Sequence, residues 1–210
     1  MRVWVTRVDP YTDFDCLFNG IPMTLPARQT LRQRLLESRE RFVSSLGSGE
    51  AQDALAAHVS GVLATLEPEC LGAYWPIRSE FNAGALWRAD KVNTSFSLAL
   101  PFTRREPRQM HYRQWDGREP TLRDECGIAS TAGREIVPDV VLVPCVGFTA
   151  SGYRLGYGGG YFDRWLAAHP HVTAVGVAWS VGEISESEFA PEPHDLPLAA
   201  VVTERGVVAS

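Results

Sequence analysis

The segment DVVLVPCVGF, residues 139–148, places the tightest constraint on the fold. It is apolar without alternation and rich in valine, so the strand it forms must be covered on both faces. A sheet with one wet face would alternate polar and apolar residues here. VTAVGVAW at 172–179 and LAAVVTE at 198–204 repeat the pattern, and CLGAYWPI at 70–77 and SFSLALP at 95–101 add shorter runs. Between these runs the period changes. Residues 24–47 open on Thr24 as a capping residue with Pro26 in the first turn, and end at Gly47. Leu31, Leu35, Phe42 and Leu46 make an apolar stripe at helical spacing. A second helix is predicted over 50–66, stopped by Pro68, a short one around 82–89, and another over YFDRWLAAH at 161–169. Strands alternating with helices predict a mostly parallel sheet with helices on both faces. Residues 102–139 are polar and loop-rich, with one strand predicted at 109–115. Residues 1–23 form a leader of mixed character, and the domain proper is expected over 24–210.

Charge and cysteine content narrow the class. A net charge of −5 and the lack of a Lys/Arg run argue against a nucleic-acid partner. No apolar run is long enough for a membrane span, and the N-terminus lacks the continuous apolar core of a secretory signal. Cys16, Cys70, Cys126 and Cys145 are scattered without CxxC or Cys/His spacing, which argues against a disulfide framework or a structural zinc site. A cytoplasmic protein is expected, as a monomer.

The chemistry concentrates after the apolar run, in SGYRLGYGGGYFDRWL at 151–166. A strand that opens into a glycine-rich turn and then a helix presents backbone N–H groups and the positive end of a helix dipole, which together favour phosphate. Arg154 stands at the mouth of this loop, and Asp163 just beyond it is placed to hold a magnesium ion against phosphate oxygens. The alternative is a structural turn with Tyr157, Tyr161 and Phe162 in the core. Arg28 and Arg32, at i and i+4, share a helix face and form either a polyphosphate clamp or a solvated surface. Glu80 and Trp75 follow a strand, at the sheet edge where α/β proteins bind ligands, and read either as ligand contacts or as a surface acid and a core aromatic. Asp195, with His194 to orient it, is a second candidate magnesium carboxylate or a turn residue. No Ser-His-Asp or Cys-His nucleophile arrangement is present at a recognisable spacing.

Together these segments resemble the 5-formyltetrahydrofolate cyclo-ligase (5,10-methenyltetrahydrofolate synthetase) family. DVVLVPCVGFTASGYRLGYGGGYFDRWL resembles its strand, G-x-R-L-G-x-G-x-G-[YF]-[YF]-D loop and helix; RQTLR, AYWPIRSEF and HDLPLAAVVTERGVV resemble its other motifs in order. Arg28 stands where lysine is commoner, and Ser130-Thr131 where many relatives have Glu-Pro. The resemblance implies a three-layer α/β/α fold and an ATP- and magnesium-dependent ring closure of a reduced folate. It implies ATP contacts from Arg28, Arg32 and the loop Arg154, Leu155, Gly156, Tyr157, Gly158, Gly159, Gly160, Tyr161 and Phe162. It implies folate contacts from Trp75, Glu80 and Tyr157 through Tyr161, with Trp115 as a further candidate. Arg154 and Tyr161 would be catalytic, and Asp163 and Asp195 would hold the metal. The alternatives are a paralogue acting on another formamide-like acceptor, and a non-catalytic folate or nucleotide binder.

Overall fold

The structure, a computed structural model, describes residues 27–46, 49–87 and 95–209. The leader, Thr24, Pro26 and Gly47 lie outside the described residues, as do residues 88 and 89 of the short helix predicted at 82–89.

A seven-stranded sheet forms the middle layer. Its strands are β1 (Cys70–Gly72), β2 (Ser97–Arg104), β3 (Gln109–Trp115), β6 (Val140–Pro144), β9 (Thr173–Val177), β10 (Ala200–Thr203) and β11 (Gly206–Ala209). Two short hairpins stand apart from it, β4 (Leu122–Arg123) with β5 (Ala129–Ser130), and β7 (Gly147–Phe148) with β8 (Arg154–Leu155). The order is β11-β10-β9-β6-β1-β2-β3. The five central strands are parallel, and β3 and β11 close the two edges as antiparallel partners.

Side chains alternate between two cores. Leu71, Leu98, Val140, Leu142, Val175, Val177 and Val202 face one way, against Leu55, Val59 and Leu63 of α2 (Glu50–Leu66). Cys70, Ala99, Val141, Val143, Ala174 and Val201 face the other, against Trp165 and Leu166 of α3 (Tyr161–Ala168). Both faces are therefore dry, as the unbroken apolar runs require. The helix α1 (Ala27–Ser45) divides its stripe between two places. Phe42, Val43 and Leu46 pack on the first core, while Leu31, Leu35 and Leu36 join Val146, Leu155, Ile184 and Phe189 in a third cluster, over the loops that follow β6 and β9.

Two departures from the sequence pattern locate the site. The run 139–148 is not one strand. It ends at Pro144, and Gly147–Phe148 turns back as a hairpin with Arg154–Leu155, so the glycine stretch does not follow the sheet strand directly. A side chain at Gly147 would meet Leu35 and Ile184 at 2.6 Å, which shows how closely α1 and the β9–β10 segment press on that hairpin. The run 70–77 likewise yields a strand only over Cys70–Gly72, after which the chain leaves the sheet. The edge strand β11 and the β4–β5 hairpin carried no clear signal in the sequence.

The chain crosses over from β1 to β2 on one side, whereas β6 lies on β1's other side. The loops after β1 and β6 thus diverge at a topological switch point, the crevice where open α/β sheets bind ligands. Gly72 sits at this junction in the innermost pair of strands. A Cβ there would lie 2.7 Å from the Tyr112 ring, 2.8 Å from Val141 and 2.9 Å from Pro138. Gly72→Ala is expected to destabilise by about 1–3 kcal/mol through overpacking, lowering Tm by roughly 2–12 °C in thermal unfolding.

Candidate functional site

The residues after β8 build the floor of the crevice. Gly158 (φ 90°) and Gly160 (φ 64°) take left-handed conformations that other residues reach only at a cost. The turn is wrapped by arginines from three elements. Arg32 Nε of α1 donates to the Gly156 carbonyl at 2.7 Å, and Arg164 Nη2 of α3 donates to the Gly159 carbonyl at 2.8 Å. Arg154 lies so close that a Cβ on Gly156 would meet its Nη1 at 2.7 Å. Gly160 caps α3 without any side-chain hydrogen bond to the helix start, and Asp163 lies in the first turn.

Arg154 is not at an open loop mouth but in β8, buried, with Nη2 donating to Asp163 Oδ1 at 2.5 Å. At the other wall, Arg28 Nη2 donates to Asp195 Oδ2 at 2.5 Å and to the Ala190 carbonyl at 2.7 Å. Arg28 also pairs with Glu192 at 3.3 Å and lies over the Phe189 ring at 4.7 Å. Burial works to raise the Asp195 pKa, but the Arg28 hydrogen bond, the Glu192 amide and the charges of Arg28 and His194 outweigh it and hold the carboxyl low. Reciprocally, the Asp195 hydrogen bond holds the Arg28 guanidinium more firmly charged. His194 lies 3.9 Å from Asp195 and 3.4 Å from Glu192. Arg32 is different. Half-buried, it has no carboxylate within 4 Å among the described residues; burial and then the Arg28 charge lower its pKa.

Glu80 stands on the opposite wall, in the turn after β1. Its Oε2 accepts from the Ile77 amide at 2.8 Å, while Oε1 is shielded from solvent with no hydrogen-bond partner. The residue as a whole keeps some exposure, but the carboxyl oxygen does not. Burial therefore dominates and pushes the Glu80 pKa from its ordinary 4.5 to about 7, against the Ile77 amide, the Arg39 charge, the nearby Tyr157 hydroxyl and Arg78. The Tyr157 hydroxyl accepts from Arg39 Nη2 at 2.5 Å, which is its well-formed hydrogen bond.

The two tyrosines of the loop separate. Tyr157 points to Arg39 and Glu80, whereas the Tyr161 hydroxyl donates to the Arg104 carbonyl at 3.0 Å and lies 3.3 Å from Cys126 Sγ. Burial and the Cys126 contact raise Tyr161 to about 12, so it keeps its proton across the neutral range. Trp75 folds back against the core edge-on to Trp115, with ring centroids 6.2 Å apart, and Trp115 donates to the Arg118 carbonyl. An open cleft of about 530 Å³ is lined by Trp115 together with Gln114, Asp116, Arg118 and residues 130–133. None of its lining residues belongs to the glycine turn, and Ser130 is held by the Pro101 carbonyl.

The model of the 5-formyltetrahydrofolate cyclo-ligase family matches residues 24–204. The chain belongs to that family. It is 31% identical over 200 residues to a protein of Mycolicibacterium smegmatis named 5-formyltetrahydrofolate cyclo-ligase, covering 89% of this chain and 99% of that one. A protein of the same name from Escherichia coli K12 is 36% identical over 74 residues, 33% of this chain and 41% of its own. Among solved structures, the 5,10-methenyltetrahydrofolate synthetase of Aquifex aeolicus superposes with TM-score 0.68 at 26% identity, covering 88% of this chain and 93% of its own. A synthetase from Mycoplasma pneumoniae gives TM-score 0.65 at 19% identity over 84% and 98% of the two chains, which bears on the fold alone. The three-layer fold and the enzyme class implied by the resemblance both stand.

In this chain the crevice collects Arg28, Arg32, Arg154, Asp163, Asp195, Glu80 and Tyr157, residues spread over 167 positions of sequence. Tyr161 and Trp75 are not brought into this group: Tyr161 is tied to the Arg104 carbonyl and Trp75 packs on Trp115. Arg39 and Arg164 were missed by reading the sequence. Arg39 had a signal: in the stripe Leu31, Leu35, Phe42, Leu46 it occupies the place one helical turn after Leu35, where an apolar residue belongs.

Glu80 gives a pH signature. The unfolded carboxyl ionises near 4.5 and the folded one near 7, so below about 4.5 burial carries no charge penalty, and stability is lost as pH rises through 7. Glu80→Gln removes that loss, so the Tm of the variant relative to the parent chain is expected to be higher at about pH 8 than at about pH 5. A pH-independent difference would show that Glu80 ionises normally in the folded chain.

Proposed function

We propose that this chain is an ATP-dependent 5-formyltetrahydrofolate cyclo-ligase that forms 5,10-methenyltetrahydrofolate, ADP and phosphate in the cytoplasm. The observation that carries the nucleotide half is Arg32, a half-buried guanidinium without a carboxylate partner among the described residues, lying on a glycine turn beside Arg28. Such a cation is stabilised by an anion, and the start of α3, which no side chain caps, offers N–H donors at the same place. The acceptor half rests on the family match and on Glu80, whose free carboxyl oxygen suits the N–H edge of a pterin.

In this reading the formyl oxygen attacks the γ-phosphorus, and the bond to the bridging oxygen breaks to give ADP. N10 then bonds to the activated carbon, loses its proton to solvent, and the former formyl oxygen departs within phosphate. Phosphorylation makes the poor leaving oxygen a good one, so no protein nucleophile is needed. The protein supplies positioning and charge neutralisation. Arg28, Arg32 and Arg154 gather the phosphates, and Tyr161, which keeps its proton, would act as a donor on releasing the Arg104 carbonyl. Asp163 and Asp195 suit a magnesium ion, which is commonly held by one or two carboxylates with phosphate and water completing its shell. Bound there, the ion would neutralise phosphate charge. The two aspartates contact Arg154 and Arg28, and no group of three metal-binding side chains gathers among the described residues.

Incubation with 5-formyltetrahydrofolate, with and without magnesium-ATP, tests the reading through methenyl absorbance and ADP release. Folate binding without methenyl product would refute catalysis, and ATP turnover only with another formamide would reassign the acceptor. Arg154→Ala and Asp163→Asn are expected to lower kcat/KM by at least about 100-fold with far-UV circular dichroism unchanged. Full activity in either folded variant would contradict the assigned roles.

A further inference from the structure

Arg39 is a charged residue with 2% exposure and no carboxylate within 4 Å among the described residues. Burying a guanidinium costs several kcal/mol unless its donors are used well. Here two different nitrogens reach two different segments. Nη2 donates to the Tyr157 hydroxyl of the glycine turn at 2.5 Å, and Nε donates to Ser79 Oγ, next to Glu80, at 3.1 Å. The guanidinium also lies 5.7 Å from the Tyr157 ring centre. A second tie fixes the same turn from the sheet side, where Trp179 Nε1 donates to the Ser79 carbonyl at 3.0 Å. An apolar side chain would complete the α1 stripe, so packing alone gives no reason for an arginine here.

We propose that Arg39 is a positioning residue for the reaction, the fork by which α1 holds the glycine turn and the Glu80 turn at one spacing, so that nucleotide and folate meet in register. This rests on the cyclo-ligase reading of the two walls. The fork geometry is essential to it: the donors of a lysine radiate from one nitrogen and do not reproduce the separate Nη2 and Nε positions that meet Tyr157 and Ser79. Arg39 has a second consequence, through charge. The groups facing Glu80 are Arg39 from α1, Tyr157 from the glycine turn, Arg78 in its own turn, and Tyr74 and Cys145 at the ends of β1 and β6. Of these, Arg39 is the buried cation that favours the ionised carboxylate.

The test compares Arg39→Lys, Arg39→Met, Tyr157→Phe and the double variant Arg39→Lys/Tyr157→Phe in the full chain. Arg39→Lys is expected to lower kcat by roughly 10–100-fold, since small misplacements of reacting groups cost that much. If Glu80 binds the folate as a carboxylate, KM for folate falls as pH rises through the Glu80 midpoint. That midpoint stays near its parent value in Arg39→Lys and rises by roughly one pH unit in Arg39→Met. The double variant is expected to lose less than the product of the two single losses, because the singles share the Arg39–Tyr157 contact. Parent-like kcat in folded Arg39→Lys, additive losses in the double variant, or an unmoved midpoint in folded Arg39→Met would each overturn the proposal. If Arg39→Met does not fold, the lysine and cycle arms still decide it. The same midpoint is also read without ligand, from the pH dependence of Tm against Glu80→Gln in each background. An unmoved ligand-free midpoint in folded Arg39→Met refutes Arg39's role, while absent methenyl product in the parent chain refutes the cyclo-ligase reading.

Discussion

Everything at the site depends on one constraint: the five parallel strands are dry on both faces, so the chain can offer polar groups only where strands end. β1 and β6 are neighbours whose continuations run in opposite directions across the sheet. Their following loops cannot pack on each other as a normal turn would, and a crevice opens between them. One wall receives the Glu80 turn and the other the glycine turn. α1 closes the crevice because its stripe is shared between the sheet core and the loop cluster around Val146 and Leu155. The same helix therefore delivers Arg28, Arg32 and Arg39 to one place by helical periodicity.

The electrostatics of that place run against the chain as a whole. A net charge of −5 spread over the molecule coexists with five arginines around the glycine turn, from α1, β8 and α3. Arg28 and Arg154 are compensated by Asp195 and Asp163, and Arg164 lies by the Tyr161 ring. Arg32 and Arg39 are not matched by close carboxylates, yet they serve differently. Arg32 keeps one side toward the turn, where an anion can reach it; Arg39 is enclosed, and its donors end on neutral hydroxyls. Burial and hydrogen-bond partners, rather than residue type, separate a binding cation from a structural one.

The layers were legible because burial on two faces writes unbroken apolar runs, and helices α2 and α3 write their own period. The candidate residues that come together, Arg28, Arg32, Glu80, Arg154, Asp163 and Asp195, were each named from local sequence cues and motif resemblance. What could not be read were features fixed by contacts between distant segments. The hairpin that splits 139–148 seats Gly147 directly against Leu35 of α1 and Ile184, segments far away in sequence, and β11 is a short edge strand paired with β10. The divergence of Tyr157 and Tyr161, four residues apart, depends on Arg39 waiting on one side and the Arg104 carbonyl on the other.

The pairing of Arg28 with Asp195 and Arg154 with Asp163 has a thermodynamic meaning on the proposed reading. Arg28 and Arg154 each neutralise a candidate metal carboxylate, which leaves Arg32 as the cation open to an anion, Arg39 being enclosed on neutral hydroxyls. A polyphosphate alone would draw the arginines and leave two carboxylates facing its own negative charge. A cation alone would draw the carboxylates and leave two guanidiniums facing it. Only the two together exchange both pairs without stranding a charge, so on this reading their binding would be coupled. The same reciprocal pairing keeps the arginines preorganised beside the glycine turn, which lessens the ordering that binding would otherwise require.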